Sequence, residues 1–131
     1  MIFKEPFRVE RVEESPLPRV LVFHLRNEEG DIEVQLDLVD KLFEDLGEEW
    51  ERGDTLILRL ETEESTQHDE KEIYAVGKMY HAEEEAGVKK YFFSIGGLQL
   101  IFKATRKIPE LEELWRGANK KVYISVMRKR T

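Results

Sequence analysis

The side chains that could do chemistry in this 131-residue chain are many carboxylates, three histidines, and a serine just ahead of a glycine pair. His24, His68 and His81 lie too far apart in sequence for the short spacings that place two imidazoles on one metal. His68-Asp69-Glu70 comes nearest to a cation site, and in a polar stretch it reads as solvated charge. Ser94 precedes Ile95-Gly96-Gly97, which matches neither the G-x-S-x-G nucleophile elbow nor a phosphate-binding loop. Glycoside hydrolysis needs two carboxylates converging across a cleft with separated pKa values. Glu48-Glu49 and Glu83-Glu84-Glu85 read instead as solvated turns. No catalytic residue, metal site or cofactor site is expected.

The densest apolar and aromatic stretch runs from Tyr91 to Phe102 and is broken by Gly96-Gly97. Aromatic and β-branched residues on both sides favour strand, and a glycine pair there is a tight turn, a bulge or a barrel corner. Both parities carry apolar residues, so both faces need cover, from this chain or from a partner. Tyr74, Tyr80, Tyr91, Phe92 and Phe93 on strands could stack bases, as OB-type barrels do beside a basic groove. They could equally be core.

Charge bears on that choice. The chain has a net charge of −7, and residues 27–72 hold 18 acidic and 4 basic side chains. Basic residues are dispersed, apart from Lys120-Lys121 and Arg128-Lys129-Arg130. Nucleic-acid binders are usually basic overall or along one face, so direct nucleic-acid contact is not expected. Cysteine is absent, which removes disulfides, thiol nucleophiles and thiolate metal sites. Only five amide side chains stand beside 49 charged ones, a composition seen in hyperthermophiles. No apolar run approaches a membrane span, and the N-terminus is not a signal peptide, so a cytoplasmic protein is expected.

The elements that must position these residues read as short strands. Phe7 to Val12, Arg19 to Arg26, Ile32 to Val39, Leu56 to Leu60, Ile73 to Ala82, the two arms around Gly96-Gly97, and Val122 to Met127 all fit strands. Asp40 is placed to cap a short helix ending before Gly47, and Pro109 to Arg116 has room for one or two helical turns. Trp50 reads as a packing anchor, and 61–72 as a polar, mobile loop. With turn signals roughly every 8–12 residues, the prediction is one all-β domain over 1–131, a closed antiparallel barrel of about eight strands.

Gly77-Lys78-Met79-Tyr80-His81-Ala82-Glu83-Glu84, followed by Tyr91-Phe92-Phe93-Ser94-Ile95-Gly96-Gly97-Leu98, resembles the signature of the small eighth subunit shared by the eukaryotic nuclear RNA polymerases. The archaeal RNA polymerase has a small subunit of the same family. Weaker likeness extends to Glu33-Val34-Gln35-Leu36-Asp37, to Asp54-Thr55-Leu56-Ile57-Leu58 and to Val126-Met127-Arg128-Lys129. Ile95 stands where the eukaryotic sequences have an aromatic residue, and 61–72 is shorter than their acidic loop; both departures suit an archaeal member. The resemblance implies a barrel of OB-like halves and a non-catalytic assembly role in DNA-directed RNA polymerase. Its partner would be the largest subunit. The residues expected to dock are Tyr91, Phe93, Gly96, Gly97, Leu98 and Gln99, with Arg128 and Arg130 reaching acidic groups of that subunit. The alternative is an OB-fold module binding single-stranded nucleic acid.

Overall fold

The computed structural model describes residues 3–130. Its strands are β1 (Phe3–Glu14), β2 (Val20–Asn27), β3 (Ile32–Val39), β4 (Thr55–Glu61), β5 (Ile73–Glu85), β6 (Val88–Ile95), β7 (Leu98–Ala104) and β8 (Lys121–Arg128). Two short helices, α1 (Lys41–Leu46) and α2 (Pro109–Arg116), follow β3 and β7. All neighbouring strands are antiparallel and close in the order β1-β2-β3-β7-β6-β5-β8-β4, with β4 returning to β1. The expected all-β barrel is therefore the fold.

Alternation drives the burial. Val34 and Leu36 on β3, Leu56, Leu58 and Leu60 on β4, and Ile124 and Val126 on β8 point into the barrel. Phe7, Phe93 and Phe102 fill its centre, where Phe93 and Phe102 meet edge-on at 5.8 Å between ring centroids. The mouths are closed by the helices. Phe43 and Leu46 of α1 join Trp50 over Phe23 at one end, so Trp50 is the anchor expected of it. Ile108, Leu111 and Leu114 belong to the core at the other end. Antiparallel β3 and β7 place the two helices at opposite mouths.

The order contains a two-fold relation that the residues conceal. Each half runs long strand, two hairpin strands, helix, strand. Both long strands carry a register shift, between Val9 and Arg11 in β1 and between Met79 and His81 in β5. At each shift the chain before the half's last strand bonds back: Val9 N–H to the Asp54 carbonyl at 2.8 Å, and Met79 N–H to the Lys120 carbonyl at 3.0 Å. Exchanging β1–β4 for β5–β8 leaves the cyclic strand order unchanged.

Several boundaries differ from expectation. β1 starts at Phe3 and passes through Pro6, which lies where β1 pairs with β4 alone; pairing with β2 begins at Phe7. No ladder donor is missed there. β5 continues through Glu83-Glu84-Glu85, because Glu83 and Glu84 oppose Lys90 and Lys89 across the ladder. Opposite charges stabilise such pairs, so this run is strand and the turn is confined to Ala86-Gly87. Asp40 has helical backbone angles and its side chain caps nothing; α1 is held instead at Gly47, whose φ of +67° lets its N–H reach the Phe43 and Glu44 carbonyls. Residues 62–72 lie against the outer face of β5. Ser65 N–H donates to the Tyr74 hydroxyl at 3.0 Å, the His68 ring lies 4.1 Å from that of Tyr74, and Glu72 approaches Arg59 at 3.8 Å.

Candidate docking face

β6 and β7 form a hairpin in which Ile95 pairs with Leu98 across Gly96 and Gly97. Their φ angles of +58° and +94° belong to a two-residue turn that demands left-handed backbone twice. A Cβ at either would meet nothing within 4 Å, so the glycines serve conformation and leave the turn open. Gly77 is the opposite case. A Cβ there would lie 2.9 Å from Ile124 Cδ1, 3.1 Å from the Ser94 carbonyl oxygen and 3.2 Å from Ile95 Cγ1. That glycine lets β5 pass close beneath the hairpin.

The register shift in β5 turns Met79 inward against Phe93 and sets His81 opposite Phe92. Tyr80, the extra residue, stands 48% exposed on the outer face. Its hydroxyl donates to Gln99 Oε1 at 2.6 Å, and Gln99 N–H donates to Asp37 Oδ2 at 3.1 Å. This polar band crosses from β5 to β3 over the outside of the barrel. Beside it Phe92 packs 6.0 Å from Tyr80 and 5.4 Å from His81, and His81 meets Trp115 of α2 edge-on at 6.5 Å. Lys120 lies over the Trp115 ring at 4.9 Å, and exposed Lys78 and Lys121 pair across β5 and β8. Val76, 47% exposed, continues the apolar surface.

Among the expected docking residues, Tyr91 and Phe93 are fully buried in the barrel. Their parity on β6 faces the core, so their side chains present nothing to a partner; Phe92 and Ser94 occupy the outer positions. Gly96 and Gly97 are at the turn, with Leu98 and Gln99 half-buried beside it. Arg128 and Arg130 lie elsewhere, at the end of β8, and bind their own chain. Glu48, with its side chain 5% exposed, receives Arg130 Nη2 at 3.1 Å, Arg128 Nη2 at 3.5 Å and Trp50 Nε1 at 3.1 Å. Burial opposes ionisation of Glu48, but the indole donor and both guanidiniums outweigh it and hold the carboxyl below its ordinary range. Sequence reasoning did not single out His81 and Trp115 for this face, and took Tyr80 and Phe92 only as aromatics that could stack bases; Gly77 faces inward, toward Ile124. The available signal was Tyr80-His81, two adjacent aromatic rings that a regular strand cannot both turn outward.

Tyr91 has a different task. Its hydroxyl donates to Glu112 Oε2 at 2.5 Å and accepts the Ile108 N–H at 3.1 Å, which supplies the cap that α2 lacks. Burial, reinforced by the Glu112 carboxylate, raises the phenol pKa far above its ordinary value. Burial also disfavours the Glu112 anion, yet the Tyr91 and Lys89 donors win and lower its pKa. Among the described residues no group of three or more His, Asp or Glu side chains is placed to hold a metal ion, and no helix is long and apolar enough to cross a membrane.

No family model and no curated protein matches the chain. Among solved structures, the chain is similar to the cytoplasmic molybdate-binding protein ModG, solved with molybdate bound. Identity is 14%, the match covers 95% of this chain and 89% of that one, and the TM-score is 0.33. At that level the likeness bears on neither ligand nor function.

Proposed function

We propose that this chain is a non-catalytic assembly subunit of an archaeal DNA-dependent RNA polymerase, docked on the largest subunit by the outer face of β5, β6 and β7. The observation that carries the reading is convergence. Part of the polymerase-subunit signature meets on this one face, Tyr80 bonded to Gln99 beside Leu98, His81 against Phe92, and the open turn at Gly96-Gly97, while Met79, Tyr91 and Phe93 of the same signature face the core. Aromatic residues rimmed by polar groups are the usual anchors of protein interfaces. The test is capture of tagged protein from an archaeal lysate, for the wild type and for Tyr80→Ala/Phe92→Ser. The wild type should bring down the two largest polymerase subunits in near-stoichiometric amount, and the outer-face variant should not. Absence of polymerase from the wild-type capture would sink the reading.

A second reading is favoured by the lysines around the same aromatics. Lys78, Lys120 and Lys121 beside Tyr80, Phe92 and Trp115 would suit a single strand stacked on an OB-like barrel. Such binding to an oligonucleotide would weaken steeply with salt, and no affinity at low salt would remove it.

A further inference from the structure

The outward face of β5 continues onto β8, and its charges are left unbalanced there. Lys78 on β5 stands directly opposite Lys121 on β8, and both side chains are exposed. Like charges opposed across a ladder destabilise it. The β6–β7 hairpin has a lysine pair of the same kind, Lys90 against Lys103, but Glu83 and Glu33 stand across from these two in the neighbouring ladders. Lys78 has only Ser94 in that position, and Lys121 precedes the first β8 residue that pairs with β4. Glu61 and Glu83, which flank the area, approach Arg59 and His81 instead. Apolar surface lies in the same place. Val76 and Tyr80, two of the four large hydrophobic side chains exposed among the described residues, stand on either side of Lys78 in the outward row of β5. Val76 pairs with Tyr123 of β8, and Lys121 Nζ is held 5.3 Å from the centre of the Tyr123 ring. A shallow depression of about 420 Å³ opens beside them, lined by Val76, Gly77, Lys78, Ser94, Asn119 and Lys121.

We infer that this β5–β8 surface takes an acidic segment of a partner protein, with glutamate or aspartate on either side of an aliphatic side chain. The inference rests on the docking reading for the partner's identity alone, since the isolated chain presents the surface. The aliphatic side chain covers Val76 and the Tyr123 ring. A carboxylate between Lys78 and Lys121 relieves the repulsion that the fold leaves standing, through charge-assisted hydrogen bonds. Single-stranded nucleic acid suits the surface less. It needs a basic groove that tracks its backbone. Here Lys120 is committed to the Trp115 ring and the Gly117 carbonyl, which leaves two cations. Glu61 opposite Tyr123, and Glu83 beyond Tyr80, would repel a phosphate backbone that ran on past them.

The probe is an acetylated peptide of about ten residues alternating glutamate with leucine and serine, titrated into the full chain and followed by amide NMR shifts. The amides of 76–80, Ser94 and 119–123 should move first. Lys78→Gln/Lys121→Gln should weaken binding about fivefold or more, while Lys90→Gln/Lys103→Gln, an equal charge change at the other opposed pair, should leave it within about twofold. The same peptide with lysine for glutamate should not bind at these amides. In the free chain at low salt, Lys78→Glu should raise the melting temperature and Lys90→Glu should lower it. Equal losses of binding in the two glutamine variants would overturn the proposal, as would a lower melting temperature for Lys78→Glu. So would a ten-nucleotide single strand that binds the same amides more tightly than the peptide at equal salt, or amides unmoved up to about 1 mM peptide. None of these outcomes involves polymerase, so failure of the peptide and failure of the lysate capture are separate results.

Discussion

Tyr91→Phe separates a core role for this residue from a docking role. The substitution keeps the ring that fills the barrel and removes one oxygen. Two bonds go with it: the one given to the Glu112 carboxylate at 2.5 Å and the one accepted from the Ile108 N–H at 3.1 Å. Hydrogen bonds to charged groups contribute about 1.5–3 kcal/mol, and a buried donor left unpaired costs about 1–3 kcal/mol. Glu112 keeps Lys89 at 3.3 Å and reaches solvent at its edge, which recovers part of the first quantity. The expected loss is therefore roughly 2–3 kcal/mol, or about 5–10 °C in melting temperature for a domain of this size. Guanidinium unfolding and calorimetry would measure it, and exchange of the Ile108 amide should accelerate. The gap between variant and wild type should also depend on acid. Against the opposing effect of burial, the Tyr91 hydroxyl depresses the folded pKa of Glu112. This stabilisation is therefore complete above the unfolded carboxyl pKa of about 4.3 and fades as pH falls through the folded value. A loss under about 0.5 kcal/mol, or a gap that does not change with pH, would refute the bridging role of the hydroxyl.

Gly77→Ala should destabilise by about 1–3 kcal/mol in denaturant titration, because its methyl would press on the Ser94 carbonyl and on the packed ends of Ile124 and Ile95. Gly97→Val should cost about 1–3 kcal/mol for a different reason, the left-handed backbone at φ +94°, and Gly97→Asn should recover much of it; equal loss in both variants would contradict a purely conformational requirement. Whole-protein stability should fall below about pH 4.5, since Glu48, Glu72 and Asp31 are also held below their ordinary pKa values in the fold and lose that stabilisation as they protonate. Glu48→Gln should flatten this acid dependence, measured as midpoint against pH.

The barrel was legible because its signal is alternation. Ile32, Val34, Leu36 and Leu38 show period two without interruption, and the interior asks only that inward residues be apolar. That tolerance also hides the two-fold relation. Val9 and Met79, or Phe23 and Tyr91, fill equivalent places with unlike side chains. Opposite charges across a ladder were harder to see, since Glu83-Glu84-Glu85 reads as strand only once Lys89 and Lys90 stand across from it. The candidate face was half legible. The glycine pair marked the hairpin, but a run apolar on both parities does not say which set faces inward. The regular pairing of β6 with β7, in which Tyr91 and Phe93 stand opposite the buried Phe102 and Leu100, put Tyr91 and Phe93 inside and left Phe92 outside. Arg128 and Arg130 looked available because Glu48, their partner, lies some eighty positions earlier in the chain.

The pairing order divides the act of folding. β4-β1-β2-β3 form one curved sheet from residues up to Glu61, and β8-β5-β6-β7 form another from residues starting at Ile73. Among the strand ladders, the β3–β7 and β4–β8 seams join them. Closing the barrel is thus the docking of two half-proteins, with 62–72 as the tether that keeps their effective concentration high. Proteolytic nicking within that tether should leave a native barrel at high concentration, and its melting temperature should fall on dilution where that of the intact chain does not. A dilution-independent nicked protein would mean that one half folds and persists without the other.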